Sequence, residues 1–142
     1  GKQFVDVGIP EETAVALASG IAAGGGKPVF GVYSSFVQRT FDQISQDLCI
    51  NNNAATIVTF AGSVYGMNDV THLGFQDIPM LSNIPNLVYL APTTKEEYIA
   101  MLDWSIEQNE HPVAIKLPGG AMVSGIPVTK NFGDLNKYEV TQ

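Results

Sequence analysis

Two short segments carry residue types that can do chemistry. Asp6-Val7-Gly8-Ile9-Pro10-Glu11-Glu12 runs from an apolar stretch (Phe4, Val5, Val7) through a glycine into the first turn of a predicted helix, where it places two carboxylates. Phe36-Val37-Gln38-Arg39 sets an aromatic ring and a guanidinium three residues apart, on one face at the start of a second predicted helix. A carboxylate can hydrogen-bond a ring nitrogen, a flat ring can stack, and a cation can sit beside either. Presented from neighbouring strand ends, the three could hold a planar, nitrogen-rich heterocycle. Each residue also has a plainer reading. Glu11 would complement a helix dipole, worth ~0.3–1 kcal/mol. Phe36 would be a core residue at a helix start, and Arg39 a surface side chain or a partner of Asp42. Tyr33 would be a packed strand tyrosine, and His72 a solvated loop histidine. His111, before Pro112 at a strand entrance, reads as structural.

Those residues need elements to position them. Apolar runs at Phe4–Val7, Pro28–Tyr33, Ala55–Phe60, Leu87–Ala91 and Pro112–Leu117 predict five strands. Helical spacing of Ala14, Val15, Leu17, Ala18, Ile21 and Ala22 predicts a helix that begins at Pro10 and stops at Gly24-Gly25-Gly26. Those glycines end a helix, so they are not a dinucleotide fingerprint. Ser34 and Ser35 can cap a helix from Phe36 to about Leu48, and Pro92-Thr93-Thr94 one running through Met101 and Trp104. Strand–helix alternation of this kind predicts an α/β fold, a three-layer αβα sandwich around a mainly parallel, doubly wound sheet. Ligands of such sheets sit outside the carboxyl ends of the strands. Here those ends are Asp6–Glu12, Tyr33–Arg39, Ala61–Gly74 and Ala91–Thr94. A connection as long as Ala61–Gly74, which contains His72, is expected to be either functional or disordered. Residues 1–142 read as one domain, polar and turn-rich after about 120.

Composition bounds the rest. The chain has 142 residues, 45% hydrophobic and 15% charged, enough for a real core. A net charge of −7 argues against binding nucleic acid. Apolar runs fall short of the ~20 residues that span a membrane, and no signal peptide is legible. One cysteine, Cys49, forms no internal disulfide framework; it suits a reducing, cytoplasmic setting and is expected to be buried and inert.

The motifs together resemble a known family. DVGIPEETAVALASGIA, GGGKPVFGVYSSFVQRTFDQISQD, AGSVYGMNDVTHLGFQD, IPNLVYLAPTTKEEYIAML and HPVAIKLPGG resemble, in order, the pyrimidine-binding domain of transketolase-like thiamine-diphosphate enzymes. The likeness is strongest to the middle domain of 1-deoxy-D-xylulose-5-phosphate synthases. It implies a thiamine-diphosphate-binding fold and transfer of two-carbon ketol or acetyl units. It also implies roles. Glu11 would hydrogen-bond the cofactor's aminopyrimidine and favour the imino form that deprotonates the thiazolium carbon. Phe36 would stack on that ring, with Arg39 and Tyr33 beside it. His72, in a segment resembling THQG, would face the substrate as a proton donor or acceptor.

The resemblance has departures. Phe60 stands where the synthase has an arginine for the acceptor's phosphate, so phosphorylated acceptors are expected to be used poorly. Thr13 replaces a histidine, Asn68 stands near a usual aspartate, and Tyr65 reads as an insertion. No GDG…N motif is present, so no metal ligand is assigned in this chain. The resemblance implies that the diphosphate and its Mg2+ are held by a separate pyrophosphate-binding domain or subunit. It implies keto acid or sugar phosphate substrates, a homodimer or hetero-oligomer, and an isolated domain without activity. Two alternatives stay open: the beta subunit of a 2-oxo acid dehydrogenase, which Asp42-Gln43-Ile44 also fits, and a non-catalytic structural member of the fold.

Overall fold

The computed structural model describes residues 2–62, 69–128 and 132. Tyr65 and Asn68, flagged above, lie outside them. Helix α1 (Glu11–Ala23) starts directly after Pro10, buries Glu11, Ala14, Val15, Ala18 and Ser19 on one face, and ends at Gly24. Strand β1 (Val29–Tyr33) follows, then a 3-10 turn (Val37–Thr40) and a π-helical segment (Gln43–Ile50). Next come β2 (Thr56–Phe60), a 3-10 turn (Val70–His72) and α2 (Asp77–Ser82). Strand β3 (Val88–Leu90), helix α3 (Lys95–Glu107) and strand β4 (Val113–Lys116) complete the order.

The four strands form one parallel sheet in the order β1-β2-β4-β3. Its two inner strands, Thr-Ile-Val-Thr-Phe and Val-Ala-Ile-Lys, are almost wholly buried, as continuous apolar strands covered on both faces must be. Period-2 alternation divides the core. Ile57 and Ala114 pack with Val15, Ala18, Ile44, Leu48 and Leu81. Val113 and Ile115 pack with Met101, Leu102 and Trp104 of α3. Helices therefore cover both faces, which makes the predicted three layers. Among the described residues no helix is long and apolar enough to cross a membrane.

Three expectations change. Phe4–Val7 is not a strand; Phe4 and Val5 are 76% and 60% exposed, and the segment makes no sheet pairing. A strand exists through a partner's hydrogen bonds, and a cavity of about 1120 Å³ separates this segment from the open edge of β1. The stretch expected to be helical from Phe36 to about Leu48 is helical without interruption from Val37, but as a 3-10 turn that runs on into a π-helical segment, and neither Ser34 nor Ser35 caps it. Thr40 closes the 3-10 turn, and its hydroxyl donates back to the Val37 carbonyl, competing with the regular helical ladder. Helix α2 was not legible at all; six residues are too few for a periodic signal. The polar stretch after about 120 is tied down in its first part. Val123 bridges to Thr94, and Glu96 accepts from the Ser124 hydroxyl and the Gly125 amide. Those two donors hold the Glu96 carboxyl below the usual range.

Candidate functional site

Parallel strands place Tyr33, Phe60, Leu90 and Lys116, their last residues, along one edge of the sheet. The sequence-predicted residues gather there. Gly8, at φ +70°, lets its amide turn back onto the Asp6 carboxylate, and the chain then enters α1 with Glu11 as the first helical residue. Glu11 is buried, 9% exposed. The strand carrying Tyr33 ends in a tight turn, with the Phe36 amide donating to the Tyr33 carbonyl. That turn stacks the aromatic side chains in sequence. Ring centroids lie 4.8 Å apart for Phe60 and Tyr33, 5.6 Å for Tyr33 and Phe36, and 5.2 Å for Phe36 and His72. Glu11, Tyr33, Phe36 and Phe60 all line the cavity beside β1.

Arg39 does not pair with Asp42. Its Nη1 lies 3.0 Å from Glu11 Oε2 and its Nε 3.8 Å from Glu12 Oε1. The Glu11 hydrogen bond, then the charges of Glu11 and Glu12, push the guanidinium further up from its ordinary value. Glu12, which has no assigned role in the sequence reading, is thus part of the cluster. Glu11 Oε1 takes no hydrogen bond among the described residues. His72 accepts or donates through Nδ1 to the Thr71 hydroxyl at 2.7 Å, with Asp69 Oδ2 at 3.2 Å. The Thr71 hydroxyl and amide hold the Asp69 carboxyl below its usual range. His111 meets only the exposed Glu110, at 3.9 Å, among the described ion pairs. Cys49 is a buried free thiol, as expected.

Sequence reasoning missed a second polar cluster at the same edge. Lys116 Nζ donates to both Asp77 carboxylate oxygens, at 2.7 and 2.8 Å, and to the Gly74 carbonyl at 3.0 Å. Its signal was a lysine closing an otherwise apolar strand. The acid it would meet lay in an unrecognised helix.

The sequence profile described as transketolase, pyrimidine binding domain, matches residues 1–122. The chain belongs to the transketolase pyrimidine-binding domain family. Curated relatives in this family are named 1-deoxy-D-xylulose-5-phosphate synthase. The protein from Clostridium botulinum (strain Eklund 17B) is 46% identical over 119 residues, 84% of this chain and 19% of the relative. That from Clostridium tetani is 40% identical over 140 residues, 99% of this chain and 22% of the relative. That from Gloeothece citriformis is 39% identical over 127 residues, 89% and 20% of the two chains. This chain thus spans about a fifth of the relatives' length. Among solved structures, one described as a split gene transketolase, inactive beta4 tetramer, superposes with a TM-score of 0.70. It is 22% identical and covers 92% of this chain and 40% of its own, a likeness of fold. Neither alternative raised from the sequence is favoured by the synthase names of these relatives.

Proposed function

We propose that this chain supplies the pyrimidine-binding half of a thiamine-diphosphate-dependent transferase of two-carbon units. The observation that carries the reading is a buried carboxylate, Glu11, opening into one cavity with Phe36 and Tyr33. These residues fit the cofactor's aminopyrimidine: an acid for a ring nitrogen and an aromatic face for the ring. When bound, the cofactor supplies a thiazolium carbon that can lose a proton and then hold the electron pair of a broken carbon–carbon bond.

The chain's own residues do the rest. Arg39 occupies Glu11 Oε2 and keeps the carboxylate oriented, which leaves Oε1 to share a proton with the ring nitrogen. Phe36, 38% exposed and lining the cavity, would stack on the ring, with Tyr33 packed edge-on against Phe36. His72, its ring centroid 5.2 Å from that of Phe36, would exchange a proton with the substrate's carbonyl or hydroxyl oxygen. In this reading a separate domain holds the diphosphate and Mg2+. That domain lies on a partner subunit or in a longer parent chain, within a homodimer or hetero-oligomer of the cytoplasm. The split-gene neighbour supports a multi-part assembly. The substrates are keto acids or sugar phosphates. Phe60, packed on Tyr33 where a phosphate-binding cation would be useful, favours an acceptor without a phosphate.

The decisive experiment is Glu11→Ala in the assembly reconstituted with its pyrophosphate-binding partner. Proton exchange at the thiazolium carbon and turnover should both fall by orders of magnitude, with the far-ultraviolet spectrum unchanged. Near-normal exchange in that variant would refute the assignment.

A further inference from the structure

Among the described residues, Lys116 ties the loop that carries His72 to the sheet. Asp77 is fully buried, and the side chain of Lys116 is 13% exposed. The amine donates to both Asp77 oxygens and to the Gly74 carbonyl, so its three protons are all directed at this loop and the start of α2. The junction is crowded as well as bonded. A Cβ on Gly62 would fall 2.7 Å from Lys116 Nζ and 2.7 Å from the Gly74 carbonyl oxygen. Gly74 holds φ +58°, and a Cβ there would lie 2.7 Å from Ser34 Cβ and 3.1 Å from Gly62 Cα. The ends of β1, β2 and β4 therefore meet the His72 loop with no space between them. Ser34 follows Tyr33 and lies two residues before Phe36, so the same knot ties His72's loop to the turn that presents the Phe36 ring.

We propose that Lys116 is a positioning residue: by gripping Asp77 and the Gly74 carbonyl it fixes the loop that sets His72 against Phe36. The proposal rests on the reading above only in giving His72 a task. The geometry it asserts can be tested without any activity.

The chain has two histidines, so isotope-labelled histidine NMR of the full chain resolves His72, identified by its loss in His72→Gln. In the native chain the Phe36 ring current should displace the His72 ring signals, and Phe36→Leu should abolish that displacement. Lys116→Met strands a buried carboxylate and is expected to unfold the chain, so the deciding variant is Lys116→Met combined with Asp77→Leu. Replacing a buried ion pair by apolar side chains commonly preserves a fold. The double variant should melt near the native temperature yet show His72 signals at the Phe36→Leu position, because the Gly74 carbonyl has lost its anchor. Native His72 signals in the folded double variant would overturn the proposal. So would failure of the double variant to fold, since Lys116 would then serve the core at large. Separately, unchanged turnover of His72→Ala in the reconstituted assembly would remove the functional reading while leaving the positioning result intact.

Discussion

The Glu11 carboxylate and the Cys49 thiol are both buried, but their surroundings differ. A guanidinium 3.0 Å away offsets the cost of desolvating Glu11. Cys49 packs among Leu48, Ile44 and Ala55 in the apolar core, and burial pushes its thiol up from 9.0 to about 11. The sign follows from the difference between states. Between pH 9 and 11 the unfolded chain has released the thiol proton and the folded chain has not. The unfolded state then binds fewer protons, so stability falls as pH rises through that window, and the contribution is complete below it. Urea unfolding of the native chain should thus lose stability more steeply from pH 9 to 11 than Cys49→Ala does. Equal slopes would show that the thiol ionises alike in both states.

At the level of elements, the two long helices begin in different ways. Helix α3 has a reciprocal cap. The Glu97 amide donates to the Thr94 hydroxyl, while Glu97 Oε2 accepts from the amide and hydroxyl of Thr93. Helix α1 has Pro10 before it and no side-chain cap; its first amide, that of Glu11, donates instead to the Ile9 carbonyl at 2.9 Å. A helix start without a side-chain cap forgoes that contribution to stability. Thr94→Ala should destabilise the chain by about 1 kcal/mol, with an unchanged urea dependence. A loss within error of zero would show that Thr93 and the backbone suffice to start α3.

Across the whole molecule, the sheet edge bearing the site faces outward, and the net charge of −7 leaves few cations for anionic groups. Arg39 is taken by Glu11 and Glu12, and Lys116 by Asp77. On the proposed reading the chain alone should not bind thiamine diphosphate with Mg2+ measurably in calorimetric titration. The chain mixed with its pyrophosphate-binding partner should bind and turn over. The same mixture should use an unphosphorylated aldehyde better than glyceraldehyde 3-phosphate. Turnover by the chain alone would contradict the division of labour, and efficient use of the phosphorylated acceptor would contradict the role given to Phe60.

Much of this was legible in the residues. Alternating apolar runs, the glycines after α1, the Thr94 cap and the burial of Cys49 are local properties, set by neighbours within a few positions, so the chain alone determined them. Pairings between distant segments are of another kind. Arg39's choice of Glu11 over Asp42 spans 28 positions, and the Lys116–Asp77 contact spans 39. The open edge beside Phe4–Val7 and the 3-10 and π-helical form of the helix after Phe36 likewise depend on what packs against each segment. Periodicity reports which face of an element is apolar but carries no information on which charged groups will meet across the sheet. Only the tertiary structure decided that, because folding sets which charged groups come within reach of one another and, around Lys116 and Asp77, excludes the water that would otherwise compete.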